Sequence, residues 1–135
     1  MRTRTSTWFE CKIRYDKMME DGMQKKITEL YVVDALSFTE AESSIIDEMS
    51  AYISGEFEVR DIKKAPYGEI FFSEDASADR FFKAKLQFIT IDEKTEKEKR
   101  SNVNYLVHAN TFNQAVANID KVMGTTAIDY VIASV

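Results

Sequence analysis

Apolar and polar side chains alternate along two well-separated stretches of the chain. Phe9, Cys11, Ile13 and Tyr15 are divided by Glu10, Lys12 and Arg14; Phe82, Ala84, Leu86 and Phe88 are divided by Lys83, Lys85 and Gln87. A period of two belongs to a strand with one wet face, so each stretch predicts a strand with its apolar set turned inward. A polar tip follows each one. Asp21-Gly22 supplies residues that tolerate positive φ, and Asp92 to Arg100 is almost entirely charged. Return strands then carry Tyr31, Val33 and Ala35, or Tyr105, Val107 and Ala109, on one face.

The period changes directly afterwards. Ser37-x-x-Glu40 and Thr111-x-x-Gln114 are capping boxes, in which the hydroxyl accepts a helical N–H and the longer side chain reaches back. The first box opens a helix expected to bury Phe38, Ala41, Ile45 and Met49. The second is expected to bury Phe112, Ala115, Ile119 and Met123, with Gly124 as a left-handed cap. Third strands follow at Phe57 and Val59, and at Ile128, Tyr130 and Ile132.

The chain therefore reads as one β-β-α-β unit used twice. Tyr31-Val32-Val33-Asp34-Ala35 to Ala41 matches Tyr105-Leu106-Val107-His108-Ala109 to Ala115 without a gap, and the match continues through Ile45 and Ile119 to Met49 and Met123. The expected fold is α+β, with about six antiparallel strands and two helices in a pseudo-twofold arrangement. It is expected to form a single domain over 1–135, with copies at about 8–64 and 80–135 joined by 65–79. Pro66 and Gly68 mark a break in the joining segment, Glu69 to Phe72 suits a short extra strand, and Ser73 to Asp79 reads as an acidic loop. One continuous sheet and two separate sheets are both compatible with the pattern. The apolar ending Ala133-Ser134-Val135 implies a docked terminus or a truncated chain.

Composition narrows the class. The 135 residues are 44% hydrophobic and 30% charged, which suits a domain with one core. Four Gly, one Pro and one Cys exclude collagen-like, linker-rich and disulfide-framework chains. No apolar run is long enough to span a membrane, and the basic start Met1 to Thr7 lacks the apolar stretch of a secretory signal. A lone thiol suits a reducing, cytoplasmic setting. The net charge of −5 is uneven: residues 31–79 hold 12 acidic and 3 basic side chains, a solvated face or an acidic docking surface.

Catalytic chemistry is hard to assemble from this inventory. His108 is the only histidine and is predicted to face outward, whereas Cys11 faces inward, so a Cys–His dyad has poor geometry. One His and one Cys cannot supply a zinc site. Glu74, Asp75 and Asp79 share a loop without calcium-loop spacing and suggest adventitious cation binding at most. Isolated glycines exclude the common phosphate loops. No catalytic residue, metal or cofactor is expected.

Two surfaces are candidates for binding. Lys12, Arg14, Lys83, Lys85 and His108 occupy outward strand positions, with Glu10 and Asp34 as counter-charges and Trp8 or Phe81 available to stack a base. Cross-strand ion pairing is the competing reading of that face. Met18, Met19 and Met23 cluster beside the first tip, either as core cover or as an adaptable surface for self-association.

The segments Trp8 to Ile13, Leu30 to Glu42 and Ala84 to Ile89 resemble an uncharacterised family of small proteins from gut-type bacteria and their phages, a domain of unknown function. The resemblance covers nearly the whole chain, and relatives run somewhat past Val135. The strand–Ala-x-Ser-x-x-x-Ala–helix signature is similar to small proteins of conjugative and phage elements. The resemblance implies a mobile-element setting and transfers no activity. The sequence thus leads to an expectation of a non-enzymatic interaction module that self-associates or binds another protein. The alternative is a nucleic-acid-binding accessory protein using the mixed-to-basic face.

Overall fold

The computed structural model describes residues 1–135 in the order β1 (Arg2–Thr5), β2 (Trp8–Met18), β3 (Gln24–Asp34), α1 (Phe38–Tyr52), β4 (Phe57–Lys64), β5 (Glu69–Phe72), β6 (Arg80–Ile91), β7 (Glu98–Ala109), α2 (Phe112–Met123) and β8 (Asp129–Ser134). The fold is α+β, with eight strands rather than about six, in two sheets. The chain divides into two compact units: Ser6–Ala65, and Met1–Thr5 with Pro66–Val135. No helix is long and apolar enough to cross a membrane.

In the Ser6–Ala65 unit the strand order is β3-β2-β4, all antiparallel. The central strand β2 is flanked on both sides, so its inward side chains Phe9, Cys11 and Ile13 are fully buried. Ala41, Ile45 and Met49 of α1 are buried with them, and Ile53 closes the end. Each larger apolar side chain here contributes about 2 kcal/mol through burial.

The second unit repeats this plan. β7-β6-β8 places the second, first and third strands in the same order, and Ala115 and Ile119 of α2 pack with Ala84, Leu86, Tyr105 and Val107. In each unit the third strand bulges at the corresponding step: between Lys12 and Ile13 on the β4 side, and between Lys85 and Leu86 on the β8 side. The sheet is then extended by two strands. β5 pairs with β7 in parallel, the one exception to the antiparallel expectation, and β1 pairs antiparallel with β5.

Both capping boxes form. Ser37 Oγ accepts the Glu40 N–H and Thr111 Oγ1 accepts the Gln114 N–H, each at 3.1 Å. The return bonds go one residue upstream of the cap: Glu40 accepts from Leu36 N–H and Gln114 from Asn110 N–H. Three packing expectations are corrected. Phe38 and Phe112 are about half exposed, because each stands in the first helical turn and covers only the edge of a strand aromatic, Phe9 or Phe82. Gly124 is not left-handed; its φ is −62°, and it suits the position because a Cβ there would lie 2.6 Å from the Asp120 carbonyl oxygen.

The hairpin tips reach the same end by different residues. Gly22 adopts φ 81° after the Met19 to Gly22 turn, where glycine carries no steric penalty. In the second tip Glu96 takes φ 56°.

Candidate functional site

Side chains of registered strand partners share a face. Phe81, Lys83 and Lys85 of β6 therefore lie on the face opposite α2 with His108 of β7, Phe72 of β5, and Arg2 and Arg4 of β1. The rings form a chain. The Arg2 guanidinium sits 5.1 Å from the Phe72 ring centre, Phe72 meets Phe81 edge-on at 6.4 Å, and Phe81 stacks on His108 at 4.7 Å. The His108 backbone carbonyl accepts a bond from Asn118, while its buried Nδ1 has no hydrogen-bond partner. Phe81 is 50% exposed, and Lys83 and Lys85 are exposed. This unit has equal numbers of basic and acidic side chains; the whole negative excess belongs to Ser6–Ala65.

Three of the five sequence candidates, Lys83, Lys85 and His108, thus meet on one face with Phe81 beside them. Lys12 and Arg14 belong to the other sheet. There Lys12 registers with Asp61 and Arg14 with Glu58, so each cation faces a carboxylate across β2 and β4. A groove of about 560 Å³ is lined by Arg14, Asp16, Lys26, Glu58 and Arg60, a mixed set in which Arg60 already bonds Glu58 at 3.1 Å. Glu10, expected as an exposed counter-charge, is instead 3% exposed. It lies on the middle strand between Val32 and Lys63, whose Nζ is 3.7 Å from its carboxylate.

Sequence reasoning missed Arg2 and Phe72, because Arg2-Thr3-Arg4-Thr5 has no apolar alternation to mark a strand. It also missed Glu29. The alternation Ile27, Glu29, Tyr31 places this carboxylate on the inward face, where the hydroxyls of Tyr15 and Tyr31 both donate to it. Tyr15 is the main cause that holds the Glu29 carboxyl below its ordinary range, and the same bond is the main reason the Tyr15 hydroxyl is pushed up to about 12. Burial, with Glu29 beside it, raises Tyr31 as well.

Each remaining candidate has its own surroundings. Cys11 is fully buried, and burial raises its thiol to about 11; it belongs to a different unit from His108. The loop carboxylates turn to different groups: Asp75 accepts from Ser77 and Gln114, Asp79 lies 3.3 Å from Arg80, and Glu74 lies 3.7 Å from the N-terminal amine. No three His, Cys, Asp or Glu side chains converge as metal ligands. Met18, Met19 and Met23 are all exposed around the first tip.

Residues 7–135 match a family model described as a domain of unknown function, DUF4494. No curated protein and no solved structure matches the chain.

Proposed function

The chain belongs to the DUF4494 family, a domain of unknown function, and we propose that this member is a non-enzymatic interaction module that associates with copies of itself. The β2–β3 hairpin is the observation that carries this reading. Each arm is 11 residues long, β3 is the outermost strand of its sheet, and the tip presents three exposed methionines. An outermost strand is a template for another strand, and flexible thioethers suit an adaptable apolar contact. The non-enzymatic part is supported by the full burial of Cys11 and by the dispersed loop carboxylates. The resemblance of the strand–helix signature to small phage and conjugative proteins supports a mobile-element setting, and the single free thiol supports a cytoplasmic one. Light scattering on the purified chain tests the reading. A mass above the monomer supports it, and a monomer at every concentration together with no captured protein partner removes it.

The ring chain on the five-stranded sheet favours a second reading, binding of single-stranded nucleic acid. Phe81 and His108 provide stacking surface, and Arg2, Lys83 and Lys85 share their face. Titration of single- and double-stranded oligonucleotides at low salt tests it. Preference for the single strand, weakened roughly tenfold by Phe81→Ala, supports the reading. Absence of binding ends it.

A further inference from the structure

We infer that the partner of β3 is β3 of a second copy, joined antiparallel about a twofold axis at Leu30; this rests on the self-association reading above. Four strands are outermost in the two sheets, and three of them are blunted. β1 has only four residues, and β4 and β8 each carry a bulge. Shortness and bulges are the devices that protect sheet edges. β3 has neither: its register with β2 runs unbroken from Asp34 to Gln24.

Hydrogen-bond phase determines which residues can bond outward. Met19 N–H donates to the Met23 carbonyl at 2.9 Å, and this pair is in step with the β2–β3 register. Antiparallel pairs alternate between bonded and non-bonded. Lys25, Ile27, Glu29, Tyr31 and Val33 therefore turn their backbone groups to β2. Lys26, Thr28, Leu30, Val32 and Asp34 turn theirs to the outer side.

Twofold pairing about Leu30 bonds those outward residues to one another, and the side chains agree. On the outer face Leu30, 58% exposed, meets Leu30 of the second copy. Thr28 meets Val32, and Lys26 meets Asp34 twice by symmetry. On the inner face Ile27 meets Val33 and Glu29 meets Tyr31. The neighbouring registers are worse. Moving the axis to Glu29 sets two carboxylates face to face, and moving it to Tyr31 sets Lys26 against Leu36. Opposite charges across strands stabilise and like charges destabilise, so the sequence selects the Leu30 register.

Two experiments on the full chain read this register. Across a bonded antiparallel pair the Cα atoms are about 5.5 Å apart, within the range a disulfide spans. Under mild oxidation Leu30→Cys is expected to form an interchain dimer and Thr28→Cys, which would face Val32, is not. In sedimentation, Lys26→Asp and Asp34→Lys are each expected to weaken the dimer roughly tenfold, and a one-to-one mixture of the two to restore it. Circular dichroism confirms that each variant is folded. Equal cross-linking of both cysteine variants, or a dimer indifferent to Lys26→Asp, overturns the β3 seam and leaves self-association by another surface. A wild-type chain that stays monomeric overturns both.

Discussion

The Tyr15 hydroxyl donates to the Glu29 carboxylate across the β2–β3 hairpin, on the face that also carries the core. Tyr31 donates to the other carboxylate oxygen at 2.8 Å. A charge on an inward position is thereby given two donors, and the open end of the hydrophobic layer is closed by a polar group that is satisfied. Tyr15→Phe removes one donor while keeping the ring. It is expected to cost about 1 kcal/mol in urea unfolding at neutral pH.

The same bonds set a pH dependence with two limbs. Glu29 is held below its ordinary pKa, so the stability it contributes is present above the unfolded carboxylate range and is lost as pH falls through the lowered value. Tyr15 moves the other way, from 10.0 to about 12. Between those values the unfolded chain has released the proton and the folded chain has not, so stability falls as pH rises through that window. Urea midpoints measured on both sides of neutrality are expected to fall at each extreme. Tyr15→Phe should make the alkaline limb shallower, with Cys11, Tyr31, Tyr105 and Tyr130, all raised as well, supplying what remains.

Glu96 and Gly124 predict opposite responses. Glu96 stands at φ 56°, where a side chain carries a steric penalty, so Glu96→Gly is expected to stabilise the fold by about 1 kcal/mol. At Gly124 an added Cβ meets the Asp120 backbone oxygen at 2.6 Å, so Gly124→Ala is expected to destabilise by about 1–3 kcal/mol. Thermal melts of the two variants should move in opposite directions.

Cys11 is fully buried, and its thiol is raised to about 11. A thiol reagent at mildly alkaline pH is expected to react only after unfolding. Cys11→Ala should stay folded, because Ala84 fills the corresponding place on β6. Rapid labelling of the native chain would contradict the packing assigned to β2.

These particulars show which features local sequence carries. Alternation at Phe9 to Tyr15 and Phe82 to Phe88 marked β2 and β6 because each buries one face. Ser37 and Thr111 marked the helix starts because a cap acts on neighbouring residues. β1 was silent, since Arg2 to Thr5 are strand only through their register with β5, and the parallel β5–β7 pairing is equally non-local. Alternation marked Lys83, Lys85 and His108 as outward but grouped Lys12 and Arg14 with them; the topology puts those two in the other sheet and brings Arg2 and Phe72 to the face instead. Glu10 and Glu29 were hidden by the expectation that carboxylates face water. Each has a partner on another strand, Lys63 or Tyr15. Phe38 and Phe112 fit the helical spacing, but a first-turn position extends past most of the layer below.

Sedimentation velocity of the full chain over a wide concentration range tests self-association most directly. A species of twice the 15.6 kDa chain mass, growing with concentration and weakened by Lys26→Asp, is the predicted result. A single species at the monomer mass throughout would contradict it.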